Sequence, residues 1–184
     1  MTKRRFLAAA LGVSAASRGR AQDAQAEARP DAGAIAAQVA GRVLLALDGT
    51  VQVYFYYLFV DGLGSDLFSG PPSERTAHFT LRTDPVRPVV TFNGDIAHMG
   101  FQPGGGEGLY RIYYNPSPGN RDFTRPDTFA QGAQIAAFRA RRTQATLMPG
   151  SHAMVSGTAD LASSTEITFR DRAFDVKDLY RSIS

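Results

Sequence analysis

The chain has 184 residues, enough for one domain with a core of its own, and no cysteine, which removes disulfides, thiolate chemistry and Cys-ligated metals together. Its net charge of +3 suggests nucleic acid only until the charges are located. Of 20 Lys and Arg, five (Lys3, Arg4, Arg5, Arg18 and Arg20) lie in residues 1–26 beside one acidic residue, Asp23; the remaining 15 basic residues face 16 acidic ones, so phosphate binding loses its electrostatic support.

Residues 1–26 have the layout of a cleavable export signal. A charged start is followed by a short apolar run from Phe6 to Ala16, then by small residues ending in the A-x-A pattern Ala24-Gln25-Ala26, with a cut near Ala21 as an alternative. The run Thr2-Lys3-Arg4-Arg5-Phe6-Leu7 resembles a twin-arginine leader, a Ser or Thr followed by two Args, any residue, then Phe-Leu; Lys3 stands where the first Arg is expected. The resemblance implies a protein that folds in the cytoplasm and is then exported, to a periplasmic or secreted location, by the twin-arginine machinery. A general export signal is the alternative.

Residues 27–41 are Ala-rich and read either as a short helix from Asp31 to Ala40 or as a disordered arm left after cleavage. From there β-patterns take over, and residues 42–184 read as a single domain. Val43–Leu47, the turn Asp48-Gly49 and Thr50–Val60 predict a hairpin. Its second strand, VQVYFYYLFV over Val51–Val60, carries apolar or aromatic bulk on both alternations, so both of its faces want cover. Ten residues are too few to cross a bilayer as a helix, which takes about 20 apolar residues, and no membrane span is expected. Residues 61–75 are a Gly- and Pro-rich loop in which Leu67 and Phe68 are expected to tuck one side closed. Thr76–Thr83 alternates as a strand. Asn93-Gly94 between Val89–Phe92 and Asp95–Phe101 predicts a second hairpin, because both central residues of a type I′ turn need positive φ.

Gln102–Gly108 is a glycine loop that departs from a dinucleotide fingerprint, with Leu109 where the third Gly should stand. Leu109–Tyr114 is a strand, and residues 115–128 (NPSPGNRDFTRPDT) form the longest irregular segment, of the length used for lids and binding loops. For Phe129–Arg142, Ala content and an Asp127-Thr128 cap argue helix, whereas Gly132 and the β-like Thr143–Leu147 argue a long strand. Strand is the preferred reading. A turn at Pro149-Gly150, a strand at Ala153–Val155, a last hairpin around Asp171-Arg172 and a helical turn at Asp178–Ser182 complete the chain.

Eight to ten short strands without alternating helices predict an all-β fold, an antiparallel meander closed or nearly closed into a barrel. In strand count and meander order, residues 43–176 resemble the calycin and allene-oxide-cyclase-like barrels, which implies a lumen suited to a small ligand. The chain has no Trp, so the lipocalin Gly-x-Trp signature is missing, and no family site maps onto any position.

Candidate chemistry is sparse. His78, His98 and His152 have no metal-ligand spacing, and no metal or cofactor is expected. There is no G-x-S-x-G; Ser163-Ser164-Thr165-Glu166 reads as a turn, and Asp95 with Glu107 is at most a carboxylate pair of unknown separation. The tyrosines make the better case. Tyr54 and Tyr56 share one face of their strand and Tyr110 and Tyr114 share one face of theirs; if both faces line one lumen, they supply apolar walls with hydroxyl tips, to which His78 and Arg111 add polar points. The competing expectation is that these rings complete the core. Arg139, Arg141 and Arg142 are the one basic cluster of the domain and read as a solvated face.

Three functions follow. The first is an exported barrel that binds a small apolar or amphipathic ligand. The second is an isomerase or cyclase that uses the same lumen through a polar residue such as His78, Glu107 or Tyr54. The third is an envelope interaction protein working through an outer sheet face or edge, which a filled interior and a large exposed apolar patch would favour.

Overall fold

The computed structural model describes residues 7–8, 36–101, 108–148, 152–179 and 182–183, without the side chains of 7, 8, 101, 147, 148, 152–155, 182 and 183. Among the described residues there are twelve strands: β1 Leu7–Ala8, β2 Ala37–Leu45, β3 Val51–Val60, β4 Phe79–Thr83, β5 Pro88–Asn93, β6 Ile96–Phe101, β7 Leu109–Tyr114, β8 Ala133–Met148, β9 His152–Ser164, β10 Ile167–Phe169, β11 Arg172–Phe174 and β12 Ser182–Ile183. Two short 3-10 turns, Pro126–Ala130 and Val176–Asp178, complete the regular structure.

Ten strands form one antiparallel sheet in the order β1-β2-β3-β4-β7-β8-β6-β5, with β9 on the other edge of β8 and β12 on β9. The sheet curls into a half-barrel, the nearly closed all-β form expected. Its path leaves a strict meander at one place. After β4 the chain makes the β5–β6 hairpin before β7 returns to pair with β4. The 16-residue β8 accommodates both: β7 lies along residues 133–139 and β6 along 143–147 of the same edge, while β9 covers the opposite edge from Ala136 to Met148.

β3 is well covered on both faces. The inner face of the sheet carries Tyr57, Phe79, Leu81 and Ile112, and the small β10–β11 hairpin with Val176 closes over it: Phe169 and Phe174 lie edge-on to Phe79, at 5.0 and 6.0 Å between ring centroids. On the outer face the long loop forms a second layer, with Phe129 edge-on to Tyr54 at 5.8 Å and Phe123 tilted over Tyr56 at 6.4 Å. Leu67 and Phe68 are buried, as expected, where Phe68 bridges to Ala77.

The turns show how local chemistry sets register. In the first hairpin, Asp48 Oδ1 accepts from the N–H and the hydroxyl of Thr50 (3.0 and 2.7 Å), and Gly49 takes φ +82°. In the second, Asn93 pairs with Ile96, so the loop is Gly94-Asp95 and only Gly94 (φ +59°) has positive φ. This is a II′-like turn, one residue later than the expected Asn93-Gly94 centre. The last hairpin is also offset: its loop is Arg170-Asp171, with φ of 48° and 64°, where Asp171-Arg172 was expected.

Residues 37–40 of the expected Asp31–Ala40 helix are strand, with Ala40 opposite Tyr56; the open edge of β3 supplies ladder partners, and pairing overrides the helix preference of alanine. Residues 27–35 lie outside the described residues. The ambiguous 129–142 segment is strand from Ala133 onwards, and the Asp127-Thr128 signal starts only the 3-10 turn. Gly132, at φ +105°, then redirects the chain into β8. At the C-terminus the helical element is Val176–Asp178, where Asp175 caps by accepting from the Lys177 N–H at 3.0 Å, while Ser182 and Ile183 pair with β9.

Candidate functional site

Register decides the fate of the tyrosine pocket. Arg42 stands opposite Tyr54, Tyr54 opposite Arg82, and Arg82 opposite Arg111, so these four make one row on the outer face. Tyr110 stands opposite Thr83 and Tyr114 opposite Phe79, one residue out of phase, on the inner face. Because neighbouring residues of a strand point to opposite sides, Tyr54 and Tyr56 do not share a lumen with Tyr110 and Tyr114.

Three of these four hydroxyls have partners within the protein. Tyr54 donates to Gln52 Oε1 at 2.6 Å, Tyr114 to the Thr168 carbonyl at 3.4 Å, and Tyr110 lies 2.6 Å from Thr143 Oγ1. Burial raises the pKa of Tyr54, Tyr56 and Tyr114 above the ordinary 10.0, which keeps them neutral at physiological pH. Arg111 makes a two-pronged contact with Asp84 (3.0 and 3.1 Å) and reaches Gln134 at 3.2 Å. Arg82 pairs with Asp127 at 3.1 Å, and the Arg42 guanidinium sits 4.6 Å above the Phe123 ring. Arg82 and Arg42 thereby tie the long loop to the sheet, whereas Arg111 joins β7 to Asp84 and to β8.

His78 precedes β4, where its ring meets Phe169 at 5.4 Å and its Nδ1 lies 2.9 Å from the Asn115 carbonyl oxygen. His98 is on exposed β6 near Thr146, and the side chain of His152 lies outside the described residues, as does Glu107. Among the described residues no three His, Cys, Asp or Glu side chains converge on a point suited to a metal. Of the basic cluster, Arg141 is paired with Asp160.

Among the described residues, the inner face is closely packed at its centre. Between Tyr57, Val60, Phe79, Ile112, Ile135, Phe174 and Val176 the free space is about 10 Å³, at most the room of one water. A larger hollow of about 320 Å³ is an open cleft at the strained Arg170-Asp171 turn, lined by Leu63, Asp66, Phe169, Arg170 and Arg172. Its arginines are engaged: Arg170 with Asp66 and with the Phe68 carbonyl (3.2 Å), Arg172 with the Gly62 carbonyl (3.4 Å).

Two features were not singled out from the sequence. Arg121, in the long loop, has no exposed surface; it donates to the carbonyls of Ala77, His78 and Gln131, its Nε has no partner, and desolvation lowers its pKa to about 10. Nothing local marks it, since Asn120-Arg121-Asp122 reads as ordinary polar loop.

The second is the edge strand β5. Among the described residues it ends the sheet; it contains no charged residue, and leaves Val89 58%, Val90 40% and Phe92 77% exposed. Monomeric sheets usually protect such edges with charge, bulges or covering loops. Apolar residues on both alternations of Val89-Val90-Thr91-Phe92, with no charge among them, were the signal available. The two-residue loop also fixes the phase of the ladder. Asn93 and Ile96 bond to each other across the turn, so residues 89, 91 and 93 direct their main-chain groups to β6, while 88, 90 and 92 direct theirs outward.

Among the described residues no helix is long and apolar enough to cross a membrane. Comparison with protein-family models, with curated proteins and with solved structures finds no match to this chain.

Proposed function

We propose that this chain is an exported interaction protein that engages its partner by strand addition at the free edge of β5. The observation that carries the reading is an apolar strand that ends the sheet among the described residues, with Val89, Val90 and Phe92 exposed, beside an inner face whose space between Tyr57, Phe79 and Ile112 is about 10 Å³. Fully burying a Val or Phe side chain contributes roughly 1.5–3 kcal/mol, so covering this edge is a substantial driving force. Added main-chain hydrogen bonds supply affinity, and the alternating side chains supply selectivity. Export rests on residues 1–26, whose charged start, apolar run and Ala24-Gln25-Ala26 have the layout of a leader.

The test is a synthetic peptide spanning residues 87–95, added to the full chain and followed by calorimetry and by hydrogen exchange at β5. Saturable binding that protects Val90 and Phe92 supports the reading, and no binding at any accessible concentration overturns it.

One observation favours a second reading, small-molecule binding, in a different place from the lumen. The cleft at Phe169 and Arg170 has room for a compact ligand with an apolar part against Phe169 and Leu63, near two guanidinium groups. Loss of a captured small molecule on Phe169→Ala, with the β5 edge intact, is the outcome that separates the two. The isomerase or cyclase reading requires an inner cavity much larger than the free space found there.

A further inference from the structure

The partner of the β5 edge is, we infer, a second copy of the same chain, joined by antiparallel β5–β5′ pairing about a two-fold axis at Thr91. This rests on the strand-addition reading and names its partner. Antiparallel pairing of a strand with its own copy is self-complementary, so one edge makes a closed dimer with no new surface required.

Main-chain phase admits this register, and the proline and the flanking charges single it out among those in phase. The main-chain groups that face outward on β5 belong to residues 88, 90 and 92; setting Thr91 opposite Thr91 of the second copy places Val90 opposite Phe92 and Phe92 opposite Val90, each a fully bonded pair. Pro88, the outward position with no N–H to give, then falls at the end of the ladder, opposite the turn residue Gly94, and leaves no main-chain donor unmet. Charge agrees. Arg87 precedes the strand and Asp95 follows it, and this register brings Arg87 of each copy beside Asp95 of the other.

Side chains agree too. Val90 and Phe92 stand on the same face as Met99 and Ala97 of β6, and Met99 stands opposite the buried Ala145 of β8. Pairing Val90 with Phe92 continues that apolar face across the axis as a β-branched and aromatic cross-strand pair. A shift of one residue would put the outward N–H groups out of phase and bring Val89 and Thr91 into the bonded positions, where their main-chain groups are already committed to β6.

The absence of native cysteine makes the test clean. In the full chain, Thr91→Cys places two thiols directly opposite each other, whereas Val89→Cys and Asn93→Cys each place theirs four residues out of register, beyond the roughly 7 Å Cα separation a disulfide spans. The expected result is near-complete oxidation of Thr91→Cys to a covalent dimer and little for the other two. Sedimentation of the cysteine-free chain is expected to show concentration-dependent dimers, weakened several-fold by Arg87→Asp and restored by Arg87→Asp with Asp95→Arg. A wild-type chain that stays monomeric, or equal cross-linking at all three positions, overturns the inference. If the chain is monomeric yet the 87–95 peptide still binds β5, self-pairing fails and strand addition stands; if the peptide does not bind either, both fail.

Discussion

Arg121 donates to the carbonyl oxygen of Ala77 from a position with no exposed surface, so a cation sits inside the protein with main-chain carbonyls as its acceptors. Its other bonds, to His78 and Gln131, join the start of β4 to the end of the long loop, and the fan of guanidinium donors reaches all three carbonyls at once. Together with the Arg82–Asp127 pair and the Arg42–Phe123 contact, this holds residues 115–132 down as a second layer on the outer face. Removing the side chain leaves a cavity and unpaired carbonyls, and Arg121→Ala is expected to cost about 3 kcal/mol in urea unfolding. Arg121→Lys recovers little of it, because one ammonium cannot reach the three acceptors. A variant as stable as wild type would show that the clamp is dispensable. Since the folded pKa lies below the ordinary arginine value, the buried charge opposes folding at neutral pH, and that opposition is relieved only above about pH 10.

The tyrosines give an alkaline signature. For Tyr54, burial comes first and the Asp127 charge adds to it, against Arg82; Tyr56 is raised by burial and then Glu74, and Tyr114 by burial alone. A folded pKa above the unfolded 10.0 means that the contribution to stability is complete below pH 10 and is lost as pH climbs through the folded values. Spectrophotometric titration is expected to resolve a late-ionising class among the seven tyrosines, smaller by one in Tyr54→Phe. A single transition at the ordinary value would contradict the burial described.

Asp175 gives the acid counterpart. Burial, its largest single influence, raises the pKa, but hydrogen bonds from Lys177 and Ser164 and the Lys177 charge outweigh it and hold the carboxyl below 3.8. The folded pKa is depressed, so the stabilisation is present above pH 3.8 and disappears as pH falls through the lowered value. Asp175→Asn is expected to lose about 1–3 kcal/mol at neutral pH, with the gap to wild type closing below pH 4. A gap that persists unchanged into stronger acid would place the effect elsewhere.

Much of the fold was legible because its signals are local. Asp48-Gly49 between β-runs gives the first hairpin, and Leu67 and Phe68 are apolar residues with nowhere else to go in a polar loop. The second hairpin was legible in kind but not in phase: whether Asn93 lies in the turn or closes it depends on which residues β6 offers, and Asn93 bonding to Ile96 moves the turn onto Gly94-Asp95. That the two tyrosine pairs lie on opposite faces was hidden for a deeper reason. Each pair does share a face of its own strand, but whether Tyr54 and Tyr110 meet depends on β4 lying between β3 and β7, a pairing that skips a hairpin and leaves no local trace. The Asp31–Ala40 helix failed over residues 37–40 for the same kind of reason, since the edge of β3 competes for them across the turn.

Residue-resolved hydrogen exchange along β5 tests the central claim most directly. In dilute protein the account predicts fast exchange at Val90 and Phe92, whose N–H groups face outward, and slow exchange at Thr91, which bonds to β6. As concentration rises, Val90 and Phe92 are predicted to slow together while Thr91 changes little. Strong protection of Val90 and Phe92 at the lowest concentration, or none at the highest, would contradict an edge that is free in the monomer and filled by a second copy.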